Sequence, residues 1–489
     1  MNYKLISKVL GILLLLVAGA MLLCEVYALL SHEARAGLEA FALPISAAGT
    51  ALIGGALMYA GRGSGRDILR KEAIAIVGLG WLLSTLAGAI PYMLCSPALS
   101  FSGAFFESAS GFTTTGSSVI ADLSLYPRDI LLWRSMTQWL GGMGILVLFV
   151  ALLSMLGVGS KALFQNESSA QLNSGFHTKI QQTATRLWQI YLGLSVICAA
   201  GLFLMGVPMY ESVMYTFATV ATGGFAPYNE SAAALDSGMI DAWMCLFMII
   251  GGTNFILLTW VLRGNFSRLF RNEEFRFYLA LLFVATVVIT FNLKLSGIYH
   301  EWSESLRHAS FQVVSLMTTT GFATADFNTW PTGSKIILLL LMIIGGCAGS
   351  TAGSIKAGRW LVLFRATYQQ IINSFRPHQV IRVRLNGQVL PEESKSSAVF
   401  FIALIMALAA ASTLVIAFLE PGHDMETVST AVIATLFNIG PGFGAVGPAS
   451  NFSVLTDTSQ FILGLLMVLG RLELFAILAL FVPALWRRY

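Results

Sequence analysis

The feature that most constrains this chain is a succession of ten long apolar segments. They lie near residues 9–30, 40–60, 72–94, 130–158, 187–206, 239–262, 276–296, 335–365, 397–419 and 459–486. An α-helix needs ~20 apolar residues to cross the hydrocarbon of a bilayer, and each segment meets that length. In lipid the backbone must satisfy its own polar groups, so apolar runs of this kind cross as helices. The composition agrees. Only 11% of the 489 residues are charged, against about 25% in a soluble domain, and mean hydropathy is +0.75. The expected fold class is an all-α polytopic membrane protein with ten transmembrane helices. The first run contains A-G-A at Ala18–Ala20, which resembles a signal-cleavage site, but it continues to Leu30 and is read as a retained span.

Charge sets the orientation. With the N-terminus inside, the inner loops hold 22 Lys/Arg and seven Asp/Glu, and the outer loops six Lys/Arg and 16 Asp/Glu. The positive-inside rule therefore places both termini in the cytoplasm. The basic pI of about 8.8 reflects those inner loops and implies no nucleic-acid partner. An acidic outer face would concentrate cations at an entrance. Five dispersed cysteines (Cys24, Cys95, Cys198, Cys245, Cys347) form no C-x-x-C pair and read as small buried hydrophobes. Trp133, Trp330 and Trp486 read as interfacial anchors, and Trp139 as packing.

A polar string interrupts the apolar pattern four times: T-T-T-G-S-S at Thr113–Ser118, V-A-T-G-G-F at Val220–Phe225, T-T-T-G-F-A at Thr318–Ala323 and F-N-I-G-P-G at Phe437–Gly442. Aligned on Gly116, Gly223, Gly321 and Gly440, each string is preceded by a short apolar segment, such as 101–112 or 306–317. Each is followed by a long segment carrying Gly141-Gly142, Gly251-Gly252, Gly345-Gly346 or Gly470-Arg471. Segments of ~10–14 residues are too short to span, so they read as re-entrant helices dipping from the outer side. The plan is two extra N-terminal helices (1–70) and four span–re-entrant helix–span repeats (71–160, 161–264, 265–378, 379–489). Four equivalent units in one orientation imply a pseudo-fourfold arrangement around a single axis.

Non-helical backbone is tolerated at membrane depth only where it is buried in protein or lines a watery cavity. Four glycine turns meeting on an axis satisfy that condition, and their carbonyls can replace the hydration shell of a cation. The expected filter comprises Thr114, Thr115, Gly116, Ala221, Thr222, Gly223, Thr319, Thr320, Gly321, Asn438, Ile439 and Gly440. Arg471, deep in the last span, is costly there unless paired or hydrated, and its place below the turns suits a barrier to passing cations. A tie to Glu473 would need a neighbouring helix, because residues two apart face different directions.

These strings, with G-G-C-A-G-S-T-A-G-S-I-K and G-R-L-E-L-F, resemble the Trk/Ktr/HKT superfamily of potassium transporters over nearly the whole chain, and most closely its TrkH branch. The two extra N-terminal spans favour TrkH over the eight-span Ktr type. The resemblance implies potassium as the substrate, since glycine at all four filter positions accompanies potassium preference, whereas serine at the first accompanies sodium permeation in some plant relatives. It implies that Gly345–Ser354, including Gly345, Gly346, Gly349, Ser350 and Gly353, forms an intramembrane loop gating conduction beneath the filter. A packing role for its small residues is the alternative. It further implies a bacterial inner-membrane location, a homodimer, and a cytoplasmic nucleotide-binding regulator of the TrkA type docked on 157–185 and 364–395. No nucleotide motif or covalent cofactor is expected in this chain. The rival readings are a potassium/proton or potassium/sodium symporter, for which only Glu25 and Glu473 lie within spans, and an intramembrane enzyme, for which no paired nucleophile and base exists.

Overall fold

The computed structural model describes residues 1–30, 41–64, 69–144, 180–379 and 382–487. Among these described residues, six single helices are long and apolar enough to cross a membrane. Two of them, α1 (Tyr3–Leu30) and α2 (Ala42–Ala60), form an antiparallel hairpin. They approach closely because Gly11 lies against the Gly54 carbonyl, leaving no room for a side chain at either glycine. The hairpin leans on α3 (Arg70–Leu94) and on α5 (Arg128–Gly142).

Repeat one is α3, the short α4 (Phe101–Phe112) and α5. Repeat two is α6 (Ile180–Leu204), α7 (Met209–Val220), and α8 (Gly238–Gly251) continued by α9 (Phe255–Val261). A short basic helix, α10 (Phe266–Arg271), leads into repeat three. That repeat comprises α11 (Glu273–Leu295), α12 (Trp302–Met317), α13 (Thr332–Ile344), a loop, and α14 (Ala357–Phe375). After a two-stranded hairpin (β1 Arg384–Leu385, β2 Gln388–Val389) comes repeat four, with α15 (Glu392–Leu419), α16 (Met425–Leu436), α17 (Asp457–Arg471) and α18 (Phe475–Leu480). A final turn of helix, α19, spans Pro483–Trp486.

The long helices are α1, α2 and the first span of every repeat. The second spans of repeats two, three and four are interrupted: each bends or unwinds at the glycine 14 positions beyond the helix N-cap. Pro127, Ser237, Pro331 and Thr456 are the N-caps, which puts Gly141, Gly251, Gly345 and Gly470 in strict register. The unequal distances from Gly116, Gly223, Gly321 and Gly440 to these glycines thus belong to the connecting loops. The eighth segment was expected to unwind, but 239–262 and 459–486 were expected to run through. Instead α8 and α9 meet at 106°, and α17 stops before Leu472–Leu474, where Glu473 and Leu474 take positive φ. In repeat one α5 ends at Gly142; residues 145–158 of that expected span, and 157–179 of the expected docking stretch, lie outside the described residues.

Packing closes a ring. The second span of each repeat lies against the short helix of the next: α5 on α7, α8 on α12, α13 on α16, and α17 back on α4. Trp133 does not anchor an interface. It is fully buried, donates to the Gly88 carbonyl (3.2 Å) and meets Phe112 edge-on. Trp330 is likewise buried. Trp139 packs among Trp188, Tyr191 and Phe217, as expected.

Candidate functional site

The four short helices end alike. In repeat one Thr114 N donates to Gly111 O (3.0 Å) and Thr115 N to Ser110 O (2.9 Å). The same pair of bonds recurs at Thr222 and Gly223, at Thr319 and Thr320, and at Asn438 and Ile439. This is the Schellman termination, whose left-handed residue is usually glycine. Here that residue is Thr114 (φ 54°), Thr222 (φ 52°), Thr319 (φ 56°) or Asn438 (φ 55°). A non-glycine residue in this region costs about 1–2 kcal/mol, so the turns hold strain that the surrounding packing sustains.

Two residues later the backbone again takes positive φ, at Gly116 (88°), Gly224 (82°), Gly321 (85°) and Gly440 (113°). The tandem glycines of V-A-T-G-G-F allow two alignments, and the structure selects Gly224, not Gly223, as the counterpart of the other three. Gly223 takes the place of Thr115, Thr320 and Ile439. A Cβ on Gly116 would land on the Gly223 carbonyl oxygen, one on Gly224 on that of Thr320, and one on Gly321 on that of Ile439. On Gly440 it would lie 3.1 Å from the carbonyl oxygen of Thr115. The four corners therefore form a closed ring of backbone, each glycine abutting the next carbonyl. Glycine is required twice over, by conformation and by space.

One face of the ring opens on a cavity of about 140 Å³, lined by the four corner glycines and the strands that leave them. Between the lining residues Ala121 and Leu123, Asp122 accepts hydrogen bonds from Asn229 and Ser124, which hold its carboxyl below the usual carboxylate range. Polar braces support the ring. Ser117 Oγ donates to Gly440 O (2.6 Å), tying repeat one to repeat four. Gln138 donates from Nε2 to Gly223 O (2.6 Å) and accepts at Oε1 from Phe225 N (3.0 Å). Thr113 and Thr115 share a hydroxyl–hydroxyl bond of 2.7 Å, as do Thr318 and Thr320.

The opposite face is covered by the loop between α13 and α14. Gly353 N donates to Thr319 Oγ1 (2.6 Å), Ser354 N to Phe437 O (2.9 Å), and Thr351 Oγ1 to Gly251 O (3.0 Å). Thr222 Oγ1 donates to Thr351 Oγ1 (3.1 Å), Cys347 N to Gly252 O (2.9 Å), and Gly349 O accepts from Phe255 N (3.0 Å). Gly345 and Gly349 supply positive φ, and the half-buried Ser350 bonds back to Cys347 O. Gly346 abuts the Gly252 backbone. The loop thus touches the turns of repeats two, three and four. Arg471 supplies the fourth contact: Nη1 donates to Thr351 O (2.8 Å), and Nη2 to Gly141 O (2.9 Å) and Gly142 O (3.0 Å). Counted from the helix N-caps, it occupies the place of Gly142, Gly252 and Gly346. Glu473 is engaged by Arg359 of α14.

Several of these residues escaped the sequence reading. Glu274 of α11 accepts at Oε1 from Ala348 N (2.7 Å) and Gly358 N (2.9 Å), pinning both ends of the loop. Arg134, one of the six Lys/Arg assigned above to the outer loops, is 2% exposed and pairs at 2.7 Å with the fully buried Glu107. Removing one partner from such a pair costs about 3–5 kcal/mol. A carboxylate in the middle of the short apolar segment 101–112 was the available signal, since a charge there needs a partner.

The fold and ring define a polytopic transport protein built from four repeats. A family model described as "TrkH: Cation transport protein" matches residues 45–488. The chain is 35% identical to the Trk system potassium uptake protein TrkH of Salmonella typhimurium, and 35% identical to the protein of that name in Halomonas elongata, with 100% of each chain covered. The crystal structure of the potassium transporter TrkH from Vibrio parahaemolyticus superposes with a TM-score of 0.88 at 31% identity, again over 100% of both chains. The chain belongs to the TrkH family of cation transport proteins, which are transporters and not enzymes.

Proposed function

We propose that this protein takes up potassium through the ring of four glycine corners. The observation that carries this reading is the closure of the ring, in which each corner glycine abuts the next repeat's carbonyl. Relatives identical at 35% over their full length are named potassium uptake proteins. The C-terminal ends of four short helices aim partial negative charge at the ring, where a cation is favoured. Among the described residues, buried Thr114 Oγ1 and Asn438 Oδ1 have no hydrogen-bond partner and are oxygens available to a cation in transit.

The loop containing Gly345, Gly346, Gly349, Ser350 and Gly353 acts as the gate, and Arg471 as the cation barrier beside it. Both termini face the cytoplasm of a bacterial cell, with the protein in the inner membrane. The protein works as a homodimer under a TrkA-type nucleotide-binding subunit docked on the basic inner stretch 364–395, so nucleotide acts only through that partner. Of the two carboxylates expected within spans, Glu473 is held by Arg359 and Glu25 lies on α1, outside the repeats. That placement favours conduction over proton- or sodium-coupled symport.

The test is potassium and sodium flux in vesicles holding the purified protein, repeated with Gly116→Ser. The substitution forces a side chain against the Gly223 carbonyl and should lower the potassium-to-sodium preference by roughly tenfold or more, the effect of ~1.4 kcal/mol. An unchanged preference in folded protein overturns the filter reading.

A further inference from the structure

The four repeats are not equivalent behind the ring. Seven positions after the N-cap of each second span stand Arg134, Met244, Leu338 and Leu463, all buried. Nine positions before each corner glycine, on the short helices, stand Glu107, Tyr215, Gln312 and Ala431, all fully buried. Only repeat one places a cation and an anion at these two sites.

The pair reaches beyond itself. Arg134 Nε donates to Glu107 Oε1 (2.7 Å), Nη2 to Ser118 Oγ (3.3 Å) and Nη1 to Ala226 O (3.5 Å), while the guanidinium stacks 4.0 Å over the Phe225 ring. Glu107 accepts in turn from Ser118 Oγ (3.0 Å) and Val119 N (3.0 Å). Ser118 leaves the first corner of the ring; Phe225 and Ala226 leave the second. Arg134 also lines the cavity over the ring. The two side chains therefore join neighbouring corners, and Glu107 neutralises a positive charge standing on the wall of the approach to them.

We propose that Arg134 and Glu107 are positioning residues for ion selection: together they fix the spacing of the first two corners and keep the approach free of net positive charge. This rests on the filter reading above. It separates two effects that a purely structural role would not. A unit charge repels a cation about 10 Å away, at an effective dielectric of about 20, by an amount worth roughly tenfold in occupancy. Glu107→Gln leaves the guanidinium without its counter-charge, so half-maximal uptake should need roughly tenfold more potassium. The double variant Glu107→Gln with Arg134→Leu has no charge there and reproduces the Gln312–Leu338 combination that repeat three already buries. It should recover near-native half-saturation yet discriminate less between potassium and sodium, because the two strands are untied.

The experiment measures potassium and sodium uptake in vesicles for the full-length chain, both variants and Gly116→Ser, with size-exclusion profiles as the folding check. If Glu107→Gln does not purify as a single species, the double variant decides alone. A monodisperse double variant with native ion preference overturns the proposal, provided Gly116→Ser changes that preference. If Gly116→Ser changes nothing, it is the filter reading that has failed, and this inference falls with it.

Discussion

Thr114, Thr222, Thr319 and Asn438 each hold a left-handed conformation that glycine would adopt without strain. For three of them the side chain accounts for the choice. The Thr222 hydroxyl reaches Thr351 and the Thr319 hydroxyl accepts from Gly353, both on the covering loop. Asn438 donates to Thr115 Oγ1 (2.9 Å) and Met467 O (2.9 Å). At Thr222 and Thr319, strain of about 1–2 kcal/mol per turn is thereby exchanged for contacts that register the loop against the ring, and at Asn438 for a tie between repeats one and four. Arg471 works at the same scale, spanning Thr351 and the Gly141-Gly142 carbonyls. Arg471→Ala removes both the span and the charge. Cation flux through reconstituted vesicles should rise, and equal or lower flux in well-folded protein would refute its barrier role. Sequence placed Arg471 in line with the paired glycines of the other repeats but could not name its acceptors, because they are main-chain carbonyls of two distant repeats.

Among elements, the informative ones are the broken second spans. Hydropathy reads 459–486 as one crossing because leucines flank the break on both sides, and apolar content is blind to a change of φ at Glu473 and Leu474. The ten small residues of Gly345–Ser354 announced their own unwinding; T-N after Gly252 did not, although Asn254 caps α9 through Ile256 N (2.8 Å). The short helix α4 was legible to the residue, since a 12-residue apolar segment ending in T-T-T-G has few other fates. Glu274 holds the unwound loop at Ala348 and Gly358. Hydrogen bonds to a charged acceptor contribute about 1.5–3 kcal/mol each. Glu274→Gln should therefore speed amide exchange across 345–358 and raise flux measured without any cytoplasmic partner. Unaltered exchange would show that the loop is held by its contacts with the turns alone.

For the whole molecule, the apolar pattern and fourfold repetition gave the architecture, because both are periodic properties of sequence. The ring's exact register was not legible, since tandem glycines at 223 and 224 satisfy the same motif and only backbone geometry separates them. The charges assigned to the outer loops are partly neutralised in ways sequence does not reveal: Arg134 and Glu107 cancel inside the protein, while Arg307 pairs with Asp241 and Lys335 with Glu426. The inner excess of Lys and Arg remains the basis of the proposed orientation. Ser124 and Ser374 are exposed, and four of the five native cysteines are buried. Ser124→Cys should react with an impermeant maleimide on intact cells, and Ser374→Cys only after permeabilisation; the reverse pattern would invert the topology.

The four corners lie on one polypeptide, and this has an evolutionary consequence. In a symmetric tetramer any change to a corner is copied four times, and a poorly tolerated residue disables every subunit at once. Here a quadrant can drift by itself. Asn438, Ile439 and Pro441 stand where two of the other repeats carry threonine, threonine and phenylalanine or serine, and the circle still closes through Thr115. Under the proposed filter role, selection can therefore adjust the preference for one ion over another in steps of a quarter.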